Sequence, residues 1–126
     1  MKTTRPVPTD LELELLKAIW ERGHATVREI FDDLSARRKI AYTTVLTMMG
    51  VLERKGHLTK KAGERAYIYT PAVSQRQMLK SMVDEFIGRV FNGSAEPLLM
   101  HLVGNRKLNP EALAEVEKLV QSKRKE

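Results

Sequence analysis

Leu11, Leu15, Leu16, Ile19 and Trp20 recur at helical spacing and predict a first helix over about 10–22. Thr9-Asp10-Leu11-Glu12 opens it as a capping box, in which the threonine hydroxyl accepts from the third helical N–H while Glu12 reaches back. Gly23 supplies a left-handed stop. After the connector His24-Ala25, a second capping box, Thr26-Val27-Arg28-Glu29, starts a short helix. Its inner face is Val27, Ile30, Phe31 and Leu34, and it ends near Ser35. Residues 36–41 form a polar, basic turn with Ile40 as its anchor. A third helix is expected from about Tyr42 to Lys55, stopped by Gly56. Val45, Met48, Met49 and Leu52 fall at i, i+3, i+4 and i+7 and make its core stripe. The opposite face holds Tyr42, Thr43, Leu46, Thr47 and Arg54, with Thr44 at the border.

Beyond Gly56 the period shortens. Leu58–Lys61 and Ala66–Thr70 read as two strands, the second rich in aromatic and β-branched residues, joined by the loop Ala62-Gly63-Glu64-Arg65. Tyr67 and Tyr69 divide between surface and core, on the ground that strand neighbours face opposite sides. Either could contact DNA through the wing, and Tyr67 is the one assigned to it. Three helical segments follow Pro71. Residues 74–91 carry a wide stripe of Met78, Leu79, Met82, Val83, Phe86, Ile87, Val90 and Phe91. Residues 95–103 are short and almost wholly apolar, and Asn109-Pro110-Glu111 starts a last helix lined by Leu113, Val116, Leu119 and Val120. The expected division is a first domain over 1–73, led by a loose arm over 1–8, and a helical domain over 74–126.

Charge sharpens this pattern. From Arg37 to Arg65 the chain has eight Lys or Arg against Glu53 and Glu64, a net +6 that equals the formal charge of the whole protein. A basic segment over the third helix and the hairpin is what a phosphate backbone attracts. Cysteine is absent, which excludes disulfides and thiolate chemistry and suits a reducing cytoplasm. No apolar run approaches bilayer length and the N-terminus has no apolar segment after its basic residues, so neither membrane insertion nor secretion is expected. His24, His57 and His101 lie at no metal-ligand spacing and read as satisfied or exposed side chains. The Met residues sit in apolar stripes and read as core. With no nucleophile elbow and no Gly-rich phosphate loop, neither an enzyme nor a cofactor is expected.

Helix, short helix, turn, longer helix and basic hairpin is the order of a winged helix-turn-helix. The fold class expected is therefore mainly α: three helices plus a β-hairpin wing, followed by a three-helix dimerisation domain. Tyr42, Thr43, Thr44, Leu46 and Thr47 are the expected base-reading set. Arg54, Lys55, Lys60, Lys61 and Arg65, with Thr26 and Arg28 at the start of the second helix and Tyr67 on the wing, are the expected backbone contacts. Three helices in roughly fifty residues cannot bury so many large apolar side chains among themselves. Met82, Phe86, Ile87, Val90, Leu98, Leu99, Leu102, Leu113 and Val116 are therefore assigned to a homodimer interface, and two-fold symmetry would match a palindromic DNA site. Two other uses of the fold stand beside this one: a ligand-responsive regulator with an effector pocket, and a winged helix that contacts protein.

The segments Thr9–Trp20, Ile40–Thr47, Leu52–Gly56, Arg65–Pro71 and Val90–Ser94 together resemble the penicillinase repressor family over nearly the whole chain. The resemblance implies a homodimeric transcriptional repressor bound to dyad operators with TACA/TGTA-type half-sites, controlling beta-lactam or cell-envelope stress genes. It further implies a membrane-bound sensor protease that triggers cleavage between an Asn and a Phe in the short helix. Those positions are His101 and Leu102 here. The family's copper-responsive branch uses C-terminal cysteines, which this chain lacks. Ala41 stands where some members have a serine cap.

Overall fold

In the computed structural model, which describes residues 6–105 and 107–125, the element order is α1 (Asp10–Arg22), α2 (Val27–Ser35), α3 (Tyr42–Arg54), β1 (Leu58–Ala62), β2 (Tyr67–Pro71), α4 (Gln75–Val90), α5 (Glu96–Gly104) and α6 (Pro110–Arg124). The chain divides within α4 into two compact units, the first running through Met82 and the second starting at Val83.

The first unit is the winged helix-turn-helix. Both capping boxes form: Thr9 and Thr26 each accept from the third helical N–H, at 3.3 and 3.2 Å, while Glu12 and Glu29 accept from the cap backbone at 2.9 Å. Each leaves fewer orphan donors at a helix start and fixes the direction from which the chain enters. Leu15, Leu16 and Ile19 of α1, Ile30 and Leu34 of α2, and Val45, Met49 and Leu52 of α3 are fully buried together, with Leu58 and Tyr69 closing the hairpin onto them. Met48 of the expected core stripe is only half-buried, while Ile40 packs against the core as the anchor of the turn.

Gly56, at φ 86°, turns α3 into β1, which pairs antiparallel with β2 in the register Leu58↔Pro71 to Ala62↔Tyr67. The connector after α1 does more than expected: Ala25 is buried and exchanges two backbone hydrogen bonds with Tyr69, at 2.9 and 2.8 Å, extending the hairpin by one bridge. The indole N–H of Trp20 donates to the Val73 carbonyl at 3.0 Å.

Two expectations shift here. Residues 1–5 of the arm lie outside the described residues, but its end is fastened. Pro8 is buried, and the Nε2 of His57, itself buried, donates to the Pro6 carbonyl at 2.7 Å. The first unit also extends past the expected boundary at 73, because Met78 is buried in its core and Met82 packs at the core's edge. Met82 is thereby set apart from the other residues assigned to the dimer face.

The second unit holds the rest of α4, then α5 and α6. Asn92 (φ 54°) and Gly93 (φ 87°) end α4, and the Gly93 N–H reaches the Ile87 carbonyl at 3.1 Å, as a left-handed helix terminus requires. Asn109 caps α6 through the Ala112 N–H at 2.7 Å, with Pro110 at the first helical position. Among the described residues of this unit none is buried. Val83, Phe86, Val90, Leu99, Met100, Val103, Leu113, Leu119 and Val120 are exposed, while Ile87, Leu98, Leu102 and Val116 are half-buried.

Candidate nucleic-acid interface

The polar face of α3 is built by its apolar one. With Val45, Met49 and Leu52 buried, helical geometry turns Thr43, Thr47, Gly50 and Arg54, spaced i, i+4, i+7 and i+11, away from the core. Thr43, Thr47 and Arg54 are exposed, as are Tyr42 and Leu46 beside them, and Thr44 is half-buried at the border. Gly50 was not singled out from the sequence. It lies in the middle of this face, where an added Cβ would meet only the Arg54 guanidinium, at 3.4 Å. Its signal was a glycine inside a helix, which costs stability unless something must come close. Ala41 precedes α3 and makes no side-chain cap hydrogen bond there.

The start of α2 lies beside the start of α3. The Tyr42 ring meets the Phe31 ring edge to face, with centroids 5.5 Å apart. The Arg28 guanidinium lies 5.6 Å from the same Phe31 centroid and 3.5 Å from the Asp32 carboxylate, with the side chain well exposed. Thr26 uses its oxygen as the α2 cap and is half-buried.

On the wing the pleat separates residues that are neighbours in sequence. Lys60 shares a face with Tyr69 and Tyr67, and its ammonium lies 4.4 Å from the Tyr67 ring centroid; Lys61 is on the other face, opposite Ile68. Both lysines are exposed, as is Arg65 in the turn. The expected division of the two tyrosines holds, with Tyr69 buried and Tyr67 exposed, but the reason given for it does not. Two residues apart, they share a face, and Tyr67 is exposed because the hairpin has by then run past the helices. Gly63 shapes the turn: its N–H donates to the Ala66 carbonyl at 2.9 Å, and a Cβ there would lie 2.6 Å from that oxygen.

Lys55 is corrected. Its ammonium bonds both oxygens of the Glu12 carboxylate, at 2.8 and 2.9 Å, at the C-terminal end of α3 and off the outward face. Burial pushes the Glu12 pKa up, but the Lys55 ammonium, the Thr9 N–H and nearby His57 outweigh it and hold the carboxyl below the usual glutamate range. Arg38 likewise bonds Glu14 at 2.7 Å. Two of the eight cations in the basic segment are thus matched by carboxylates of α1, which a count along the sequence leaves out. On the far side of α2, Arg22 and Asp33 form a two-pronged ion pair at 2.7 and 2.8 Å. It holds the aspartate below, and the guanidinium above, its ordinary value.

An exposed polar helix face of groove width, an adjoining helix start with an arginine, and a hairpin with cations at its tip define a winged-helix DNA-binding protein. The comparisons with known proteins narrow the class. Residues 8–122 match the model of the penicillinase repressor family. The chain is 26% identical over 116 residues to the penicillinase repressor of Bacillus licheniformis, covering 92% of this chain and 91% of that one. It is 34% identical over 96 residues to the transcriptional regulator BlaI of Mycobacterium tuberculosis, covering 75% and 70%. Among solved structures, the monomeric form of B. licheniformis BlaI in complex with the blaP half-operator aligns with a TM-score of 0.52 at 30% identity, covering 59% of this chain and 90% of that one. The chain belongs to the penicillinase repressor family and is a DNA-binding transcriptional repressor.

Proposed function

We propose that two copies of the chain bind a dyad operator in the cytoplasm, each placing α3 in a major groove. The observation that carries this is the outward row of α3, with Thr43, Thr47 and Arg54 exposed and Gly50 half-buried among them, bordered by Tyr42 and Leu46. Threonine hydroxyls bond base edges, and threonine or leucine side chains contact thymine methyls. Arg28, Arg54, Lys60, Lys61 and Arg65 contact phosphates, with Thr26 and Tyr67 at the margins of the same surface. Thr47→Ala is expected to weaken binding to a duplex selected by the full chain from a random pool about ten-fold, and binding to unselected duplex much less. Equal loss on both would remove Thr47 from base reading.

The second copy is supported by the second unit, where large apolar side chains stay exposed on all three helices and no described residue is buried. Phe86, Ile87, Val90, Leu98, Leu99, Leu102, Leu113 and Val116 form the face that a second copy covers. The sensor protease of the family resemblance would act on the His101-Leu102 peptide of α5. The His101 carbonyl accepts from both the N–H and the side-chain amide of Asn105, so α5 must unwind there before an extended-chain protease can cut it.

A further inference from the structure

We propose that Phe31 is a positioning residue for DNA reading: one ring on α2 sets where Arg28 and Tyr42, from two different helices, present their polar ends. This rests on the reading above, in which Arg28 and Tyr42 face DNA. Phe31 itself is half-buried, packs against the core, and need not touch DNA.

Its two contacts use the parts of an aromatic ring that an aliphatic side chain lacks. The Arg28 guanidinium lies 5.6 Å from the centroid, within the range at which a ring quadrupole attracts a cation. Tyr42 meets the same ring at 5.5 Å with the planes 69° apart, the edge-to-face arrangement that quadrupoles favour. Asp32, one turn along α2, adds an exposed ion-pair contact to the Arg28 guanidinium at 3.5 Å. A long arginine and an exposed tyrosine would otherwise sample several rotamers and lose that freedom on binding. Held beforehand, they meet the duplex with part of that ordering cost already met by the fold. A leucine at 31 would fill much of the same space and keep the core contact, yet hold neither group.

The full-length protein tests this by a double-mutant cycle, with a duplex selected from a random pool as probe. Phe31→Leu is expected to lower affinity roughly five- to ten-fold, the cost of ordering two side chains on binding. Phe31→Tyr, which keeps the ring, should bind like the parent. In an Arg28→Ala/Tyr42→Ala background the same Phe31→Leu change should have no further effect, because nothing remains to position. A purely structural role would give the same loss in both backgrounds, and that result, or no loss in either, overturns the proposal. If Phe31→Leu does not fold, Phe31→Met completes the same cycle. If Arg28→Ala and Tyr42→Ala leave affinity unchanged, the proposal falls because those residues do not face DNA. The Thr47→Ala measurement still decides independently whether α3 reads bases.

Discussion

Lys55 and Glu12 show how one contact reassigns a residue. A lysine at the end of a reading helix resembles a phosphate contact, but here it neutralises a carboxylate that is itself a helix cap and almost fully buried. Lys55→Met is therefore expected to destabilise the fold by about 2 kcal/mol, since it removes the charged hydrogen-bond partner of a buried carboxylate. It should leave the slope of log affinity against log salt unchanged. A slope lower by about one unit would return Lys55 to the DNA surface. The same pair predicts a pH dependence. The folded pKa of Glu12 lies below the ordinary 4.5, and that of Asp33 below 3.8, so each contributes stability that is whole above those values and lost as pH falls through the folded ones. In urea unfolding at falling pH, Lys55→Met should show a shallower acid loss than the parent; parallel curves would remove Glu12 as a source.

Gly50 makes the opposite kind of prediction. In a helix interior alanine is favoured over glycine by about 0.5–1 kcal/mol, and the space at Gly50 admits a methyl group. Gly50→Ala should raise thermal stability while weakening binding to the selected duplex, if the bare backbone is where DNA comes close. A more stable variant with unchanged affinity would make the glycine incidental.

Among the elements, the wing is the one whose chemistry depends most on register. Two adjacent lysines point to opposite faces, so they cannot serve one phosphate row alike, and the cation-bearing turn is held by the Gly63 to Ala66 contact. Arg65→Ala is expected to lower affinity on selected and unselected duplexes equally and to reduce the salt slope by about one unit. An unchanged slope would mean that the turn does not reach the backbone. The helices were more legible from sequence than the wing. Capping boxes, a terminal glycine and a 3.6-residue stripe are local signals, and α1 and α2 begin and end where those signals place them. The bridge from Ala25 to Tyr69 has no local signal, since it joins residues far apart in the chain.

At the scale of the whole molecule, a first unit with a full core is followed by a second unit with none buried among its described residues. Leu99→Asp places a charge in the face assigned to the second copy. In the proposed dimer that carboxylate would be buried and unpaired, so the variant should remain monomeric. Sedimentation showing a stable dimer of the variant would remove α5 from the interface. If two copies bind as proposed, the same variant should also lose operator affinity by orders of magnitude, since two linked heads bind the second half-site at high effective concentration.

By itself the sequence determined the helices, the turn and the hairpin, because periodicity, caps and glycines act within a few residues of one another. The family resemblance rested on the same local segments. It also determined that α3 has one polar face, since the apolar stripe Val45, Met49 and Leu52 leaves only the other side for solvent. Only the tertiary structure decided which charges are available there. Glu12 and Glu14 come from α1, distant in sequence from Lys55 and Arg38, and only folding brings each pair within hydrogen-bond reach. It likewise decided that Met78 and Met82 belong with the first core, that Tyr67 lies beyond that core while Tyr69 lies under it, and that Phe31 stands between Arg28 and Tyr42. The physical reason is common to all of them: local backbone preferences set each element, whereas charge pairing and burial depend on which elements the shared core brings together.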